Sequence, residues 1–394
     1  MLSSLSMLFV GIVAIQLVSP ALPSIDAAFD VPEERIGLLV TAFFAAAAVT
    51  LPVSGAVADS FGRRRVAIIS LAVFGVAGIA TPLAERFVEL LALRALQGAA
   101  FPGLVPLSIT IVGDIYSGTR ASMAQGLRVS VNGFGSVLVP TVAGVLAGFA
   151  WYYPFLLTGL AIPALVVVVL YLPETIVRSD ATTDDRRGPV AYARDVAGEI
   201  GDRHLLLLVV GAFITYFSRY ALLTYLPVFV VQDLGETATV GGILLSIVGV
   251  CRLVVPVAAG GPIGRLSAKT ALLGALAGIA GTIAALAVVA NVYLAGVVTV
   301  GYGVSTAIFL PVINDTVASM ASKGQRASVV NTMELGKIVA SAVSPAVFGV
   351  VLGLTGYATV FVLAGAVLGA FTLAAAVLLD GRALLREDAE SVAG

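Results

Sequence analysis

The sequence predicts an all-α integral membrane protein whose twelve transmembrane helices form two pseudo-symmetric six-helix bundles. Three observations support this fold class: the composition, twelve long apolar segments and an internal repeat. Hydrophobic residues make up 59% of the 394 residues, and charged residues make up 11%. Soluble domains carry roughly 45–50% apolar and about 25% charged residues. The composition therefore excludes an ordinary soluble protein and a disordered chain.

Twelve apolar segments, numbered here as spans 1 to 12, are long enough to cross a bilayer, because a membrane helix needs about 20 residues. The predicted spans are 5–25, 36–58, 66–84, 88–113, 121–148, 150–172, 204–231, 240–262, 270–290, 292–318, 327–355 and 357–379. Runs of this length exclude a membrane β-barrel, whose strands are short and alternate. Span 1 follows no basic residue and continues through Pro20 and Pro23. We therefore interpret it as a retained helix rather than a cleaved signal peptide.

The distribution of basic residues predicts the orientation. With the N-terminus in the cytoplasm, only Arg35 and Arg86 of the 22 Lys and Arg residues fall in outer loops. The fifteen that fall in inner loops and the tail are Arg63, Arg64, Arg65, Arg120, Arg178, Arg186, Arg187, Arg194, Arg203, Arg265, Lys269, Lys323, Arg326, Arg382 and Arg386. Since cytoplasmic loops carry an excess of Lys and Arg, this split predicts a multi-pass plasma-membrane protein with both termini in the cytoplasm. The net charge of −1 gives no reason to expect a nucleic-acid partner.

An internal repeat divides the chain into two halves. The segment GTRAS at Gly118–Ser122 recurs as GQRAS at Gly324–Ser328, in the same loop of each half. The predicted domains are a first bundle over 1–172, a cytoplasmic linker over 173–203, a second bundle over 204–379 and a cytoplasmic tail over 380–394. Repeats of parallel topology build many secondary transporters, with the substrate site between the halves near the membrane midplane.

The sequence contains few residues that could build a catalytic or a metal-binding site. Cys251 is the single cysteine and His204 the single histidine, which excludes a disulfide framework and a multi-histidine metal site. We find no buried nucleophile–base set and no phosphate-binding loop. The sequence therefore predicts a protein that is not an enzyme and that has no metal site or cofactor.

The loop after span 2 reads GAVADSFGRRR, from Gly55 to Arg65. A glycine permits a tight turn there, a carboxylate at a helix end can accept charge-assisted hydrogen bonds, and the arginines anchor the loop at the cytoplasmic face. The loop closely resembles the signature loop of the major facilitator superfamily, which acts in that family as a conformational latch. The resemblance assigns the latch to Gly55, Asp59, Gly62, Arg63 and Arg64.

A segment in span 4, LALRALQGAAFPG, resembles a second motif of that family through Arg94, Gln97 and Gly98. In the family this arginine is implicated in proton coupling or substrate contact. Arg94 and Gln97 lie one turn apart on one helix face. The alternative is that Arg94 only extends to the outer membrane surface.

Further segments resemble the drug-efflux and sugar-porter branches of the family. These are GDIYSGTRAS before span 5 and LPET after span 6. The antiporter motif of span 5 is only partly kept, because Val139 and Ala143 occupy positions where glycine is expected. The resemblance implies the twelve-helix drug:proton antiporter branch.

Five bases lie inside predicted spans, where each costs about 2.5–3.5 kcal/mol unless it is paired or meets water. Spans 3, 6, 9 and 12 carry no charge. In the resembling family these four helices form an outer scaffold, and the other eight surround the cavity. Our candidate substrate-binding or coupling residues are Arg94, Gln97, Arg128, Asn132, Arg219, Arg252, Glu334 and Lys337.

Glu334 is the one acid well inside a predicted span, and it has two candidate partners. Lys337 shares its helix face at i,i+3, and Arg128 occupies the position that the repeat maps onto Glu334. Glu334 could couple proton binding to a conformational change. It could instead form a permanent structural pair that makes two polar residues tolerable in the bilayer.

The sequence predicts a secondary active transporter that works by alternating access, with proton-coupled efflux of drug-like or small organic compounds as the leading hypothesis. The expected partners are a small-molecule substrate, a proton or other coupling ion and the lipid bilayer, and the expected state is a monomer. Because the bases outnumber the acids in the core, transport of a small organic anion in either direction stays an alternative. A membrane sensor that no longer transports is a second alternative.

Overall fold

The computed structural model describes residues 1–174, 203–263, 266–321 and 326–380, and the regular elements in these ranges are helices. The core of the predicted linker and nearly all of the predicted tail lie outside the described residues. So do Gly324 of the repeated GQRAS segment and several of the predicted cytoplasmic bases.

Twelve predicted spans are matched by eleven helices long and apolar enough to cross a membrane and by one bent helix pair at the N-terminus. The helices of the first half are Leu2–Gln16, Val18–Phe29, Glu33–Ile36, Leu38–Phe61, Arg63–Ile79, Phe87–Ala100, Val105–Ile115, Gly118–Ala147, Tyr153–Leu156 and Ala161–Tyr171, with 3₁₀ turns at Thr81–Leu83, Phe101–Gly103 and Leu157–Leu160. The helices of the second half are Arg203–Gln232, Ala238–Ile263, Ala268–Ala285, Val292–Met320, Arg326–Thr355 and Tyr357–Leu378, with a 3₁₀ turn at Leu286–Val288. The predicted all-α fold of twelve spans is confirmed.

Proline chemistry explains why span 1 is broken. Its two helices, Leu2–Gln16 and Val18–Phe29, meet at 44°. Pro20 has no N–H to bond the carbonyl of Gln16, and its ring clashes with that carbonyl. The first helix therefore ends at Gln16. The carbonyl of Ala14, in the last turn of this first helix, accepts a hydrogen bond from Arg94 of span 4.

Span 5 of the first bundle packs directly on span 8 of the second. Gly242 lies against the backbone of Pro140, and Gly249 lies against the backbone of Ser136. A methyl group at either glycine would overlap the facing chain, so these glycines allow the close helix approach that small residues give in membranes. Near the middle of span 5, Gly133 faces Leu253 of span 8.

The two bundles touch at one end and part at the other. We call the end that carries residues 26–34 the closed end, and the end that carries the Gly55–Arg65 loop the latch end. At the closed end, Gly349 of span 11 lies against the backbone of Glu34. Toward the latch end, a methyl group at Gly55 or Gly126 would meet no atom within 4 Å. Both glycines therefore face open space on the latch side.

Candidate functional site

The latch loop turns sharply at Gly62, which has φ +94° and separates span 2 from span 3. A side chain would be strained at this φ, and a methyl group there would also overlap the carboxylate of Glu174. The structure thus gives Gly62 the tight turn that the sequence predicts for it.

Two arginines bind the latch loop to the rest of the first bundle. Arg63 forms ion pairs with Asp114 at the latch end of span 4 and with Asp59, the latter at 3.7 Å. Arg64 Nη2 donates to the carbonyl of Val169 in span 6 at 2.6 Å. The side chain of Asp59 is 71% exposed, so the single long ion pair leaves most of its carboxylate facing open space.

Arg94 is buried inside the first bundle and does not extend to the outer surface, since its exposed fraction is 2%. Its Nη1 donates to Gln97 Oε1 at 2.8 Å, and its Nη2 donates to the Ala14 carbonyl at 3.4 Å. The guanidinium also lies 4.5 Å from the ring centroid of Phe43. Arg94 therefore links spans 1, 2 and 4 through neutral partners.

Arg128 and Asn132 lie on span 5, between the middle of the membrane and the latch end. Arg128 Nη1 donates to Gln125 Oε1 at 2.6 Å, one turn away on the same helix. The structure does not bring Arg128 to Glu334. Asn132 is exposed.

Glu334 and Lys337 form an ion pair on span 11, with 2.7 Å between Oε1 and Nζ. The Nζ of Lys337 also donates to Asn314 Oδ1 of span 10 at 3.0 Å and lies 5.5 Å from the ring centroid of Tyr216. The lysine side chain is 4% exposed, whereas the glutamate side chain is 50% exposed. Of the two candidate partners of Glu334, the structure selects Lys337, and it leaves the carboxylate accessible.

Arg219 of span 7 and Arg252 of span 8 lie close enough to influence each other electrostatically. Arg219 is 8% exposed, and its Nε has no hydrogen-bond partner among the described residues. The ring of Tyr216 lies 5.6 Å from the Arg219 guanidinium carbon. Tyr302 of span 10 is fully buried, and it lies close enough to both arginines to interact with them electrostatically.

Several residues of this arrangement were missed by the sequence analysis, among them Tyr216, Tyr302 and Asn314. A usable signal existed only for Tyr216, because a hydroxyl-bearing ring lies three residues before Arg219 in the middle of a span. Tyr302 and Asn314 lie on another helix, and nothing in their local pattern connects them to spans 7 and 11.

A surface cavity of about 770 Å³ opens at the closed end, well away from these midmembrane residues. The acids that line it are Asp26, Asp30, Glu33, Glu34 and Asp233. Gln232 Nε2 donates to Asp26 at 2.9 Å, and the Tyr357 hydroxyl donates to Glu33, so both contacts join the first bundle to the second. Burial, and then the Glu33 carboxylate, raise the pKa of Asp233 above its ordinary value.

No three His, Cys, Asp or Glu side chains in the described ranges are arranged to hold a metal ion. Apart from the charged groups of the latch end, two sets stand out on the described part of the chain: a basic group with one acid at midmembrane, and an acidic group at the closed end.

The sequence matches the profile of the Major Facilitator Superfamily over residues 4–306 and 208–393. The chain belongs to the Major Facilitator Superfamily. This is a family of membrane transporters and not of enzymes, in agreement with the sequence analysis.

Curated relatives match at low identity and over part of their length. A bacillibactin exporter of Bacillus subtilis (strain 168) is 28% identical over 34% of this chain and 36% of its own. A multidrug transporter protein, MdtP, of the same organism is 26% identical over 41% of this chain and 28% of its own. A 3-(3-hydroxy-phenyl)propionate transporter of Escherichia coli (strain K12) is 27% identical over 59% of this chain and 57% of its own. The chain thus spans about a third of the length of the first two relatives.

A solved structure with the same fold is a bacterial homologue of the human lysosomal transporter Spinster in an inward-facing conformation. The two align with a TM-score of 0.75 and 16% identity, over 95% of this chain and 94% of the other. At this identity the likeness shows the fold alone.

Proposed function

We propose that this protein exports small organic compounds across the plasma membrane by alternating access, in exchange for protons. The observation that supports it most is the asymmetric packing of the bundles, which meet at the closed end and part at the latch end. In the orientation predicted from the basic residues, the parted end faces the cytoplasm, where an exported substrate enters. The relatives named as an exporter and as a multidrug transporter support the direction and the substrate range.

The latch residues lie on a surface that the other bundle would cover when the transporter changes to the outward-facing state. When the bundles rock, the parted ends must close on each other. Gly55 has free space in front of it, and Asp59 is mostly exposed and carries one long ion pair. A glycine that accepts a close helix and a carboxylate that gains a partner would both stabilise the closed cytoplasmic end.

Glu334 is our candidate for the proton-coupling group. Its carboxylate is half exposed while its partner Lys337 is buried. Protonating Glu334 would leave Lys337 with Asn314 and the Tyr216 ring as its neighbours and would favour a rearranged state. A group whose proton affinity differs between two states couples proton binding to the change between them.

Proteoliposomes with an imposed pH gradient test the proposal. We expect several amphiphilic compounds to move against their concentration gradient when the side opposite the latch loop is acidic, and a pH-sensitive dye to report proton movement the other way. Collapsing the gradient with a protonophore is the control and should leave only exchange. Transport that is equally fast with and without the pH gradient would refute proton coupling. Binding without any transport would favour a sensor.

The orientation needs its own test, because the direction of transport depends on it. Ser60 and Ala28 are exposed at opposite ends of the molecule. Single cysteines at these positions, with Cys251 replaced by alanine, should react with an impermeant reagent from opposite sides of the membrane. Labelling of both from one side would contradict the topology.

Transport of a small organic anion is the second candidate function. The basic excess at midmembrane favours it, since Arg219 and Arg252 form no ion pair within the described chain. The Escherichia coli relative, named as a transporter of an aromatic propionate, supports it.

A further inference from the structure

Two arginines without acidic partners lie together in the second bundle. Arg219 is near the middle of span 7, and Arg252 is near the middle of span 8. Neither forms an ion pair with a carboxylate of the described residues. An unpaired base at midmembrane is costly, and here two like charges also repel each other. An arrangement that holds both in place needs a compensating group that the described chain does not supply.

An unpartnered hydroxyl lies beside the two arginines. Tyr302 is 0% exposed, and its hydroxyl makes no hydrogen bond with the described residues. Span 10 reaches this position because Gly303 packs on Cys251, the residue before Arg252; a methyl group at Gly303 would overlap that cysteine. A buried polar group without a partner costs about 1–3 kcal/mol, so this hydroxyl indicates a ligand that accepts a hydrogen bond.

The nearby acid does not neutralise these charges. Glu334 is held by Lys337 at 2.7 Å, and that pair balances itself. Within the second bundle, the surplus positive charge at midmembrane therefore belongs to Arg219 and Arg252. The half-buried ring of Tyr216 packs beside Arg219 and gives the same region an aromatic surface.

We propose that Arg219, Arg252 and Tyr302 bind the carboxylate of a small organic acid, an inference that rests on the proposed transport function. Guanidinium groups bind carboxylates through paired N–H donors, and a phenol adds a third donor. The negative charge of one carboxylate neutralises the positive charge of one arginine, so an acid with two carboxylates would neutralise both arginines. An aromatic ring attached to the carboxylate would pack on Tyr216.

Binding measurements on the full-length protein in nanodiscs test the site. The probes are benzoate, phenylacetate and phthalate, each compared with its own primary amide. We expect wild-type protein to bind at least one acid about tenfold more tightly than its amide, as charge-assisted hydrogen bonds predict. Arg219→Gln and Arg252→Gln should abolish that preference. Arg35→Gln, at an exposed position outside the site, is the matched control and should keep it.

Tyr302→Phe is a second kind of variant, for the case that the arginine variants misfold. It removes only the unpartnered hydroxyl and keeps the buried ring. It should weaken acid binding several-fold and leave amide binding unchanged. Equal binding of acids and amides by wild-type protein would overturn the proposal, as would an acid preference that survives in all three variants. The same samples in proteoliposomes separate the two proposals. Gradient-driven transport without an acid preference refutes this site alone, and acid binding without transport refutes the transport function alone.

Discussion

Arg94 in the first bundle and Lys337 in the second are both buried bases at membrane depth, but their partners differ in kind. Arg94 is held by an amide oxygen, a backbone carbonyl and a phenylalanine ring. Lys337 is held by a carboxylate that is half exposed. Neutral partners cannot change charge, so the surroundings of Arg94 have one electrostatic state. A carboxylate can take up a proton, so the surroundings of Lys337 have two.

The same contrast extends through each bundle. In the first bundle, Arg128 is held at membrane depth by the neutral side-chain amide of Gln125. In the second bundle, Arg219 and Arg252 have no such partners in the described chain. Under the proposals above, the first bundle supplies a fixed frame, and the second bundle supplies the charges that respond to protons and substrate. Each prediction below tests one side of this contrast.

The largest effect is expected for Glu334→Gln. Gradient-driven accumulation should fall at least about tenfold, because coupling needs a group with two charge states, while exchange without a gradient should continue. Accumulation and exchange of a radiolabelled compound in proteoliposomes measure the two activities.

Glu85→Gln, which removes an exposed acid from the loop between spans 3 and 4, is the matched control and should change neither activity. If accumulation and exchange fall together, the pair with Lys337 is structural. Full gradient-driven accumulation in Glu334→Gln would eliminate the coupling role.

Arg94→Lys should give the next largest effect, and on stability rather than coupling. A lysine cannot bridge Gln97 and the Ala14 carbonyl while stacking on Phe43. Membrane hydrogen bonds contribute on average about 0.6 kcal/mol each, so the variant should lose about 1 kcal/mol of stability. Thermal unfolding in detergent measures the loss, and the pH profile of transport should keep its shape. A shifted pH profile with unchanged stability would reverse the contrast between the bundles.

The sequence predicts contacts within a helix better than contacts between helices. The pairs Arg94–Gln97 and Glu334–Lys337 follow from i,i+3 spacing, and both form in the structure. The Ala14 carbonyl could not be predicted as a partner of Arg94, because it becomes a partner only through the packing of a broken helix from another span. The contact of Asn314 with Lys337 likewise depends on how spans 10 and 11 pack.

Hydrophobic length predicts how many spans exist, but not where they break. The predicted span 88–113 is two helices, Phe87–Ala100 and Val105–Ile115, joined by a 3₁₀ turn. Pro102 and Pro106 interrupt the helical hydrogen bonds there without lowering the apolar content. The number of spans and the two-bundle fold were therefore predictable, while the polar contacts created at the breaks were not.

Asp59→Asn should slow turnover about fivefold or more, the lower range of conformational coupling effects, with substrate affinity nearly unchanged. The latch belongs to the first bundle and bears on the balance between states, not on the binding residues of the second bundle. Transport rate and binding affinity of purified protein measure this, with the neighbouring Ser60→Ala as the control. An affinity loss as large as the rate loss would argue against a latch.

The smallest effect concerns Asp233, an acid of the second bundle at the closed end. Burial and the Glu33 carboxylate raise its pKa in this conformation, so the protonated form stabilises the closed end. That stabilisation grows as external pH falls through the raised pKa toward the ordinary value of 3.8, and it is absent at higher pH. Distances between spin labels at Ala28 and Thr237 should report a closed fraction that rises on acidification. Asp233→Asn should flatten that response only slightly, because other acids, among them Asp26 and Glu33, still line the same cavity. A steeper response in Asp233→Asn would show that the first bundle, and not the second, carries the pH dependence of this end.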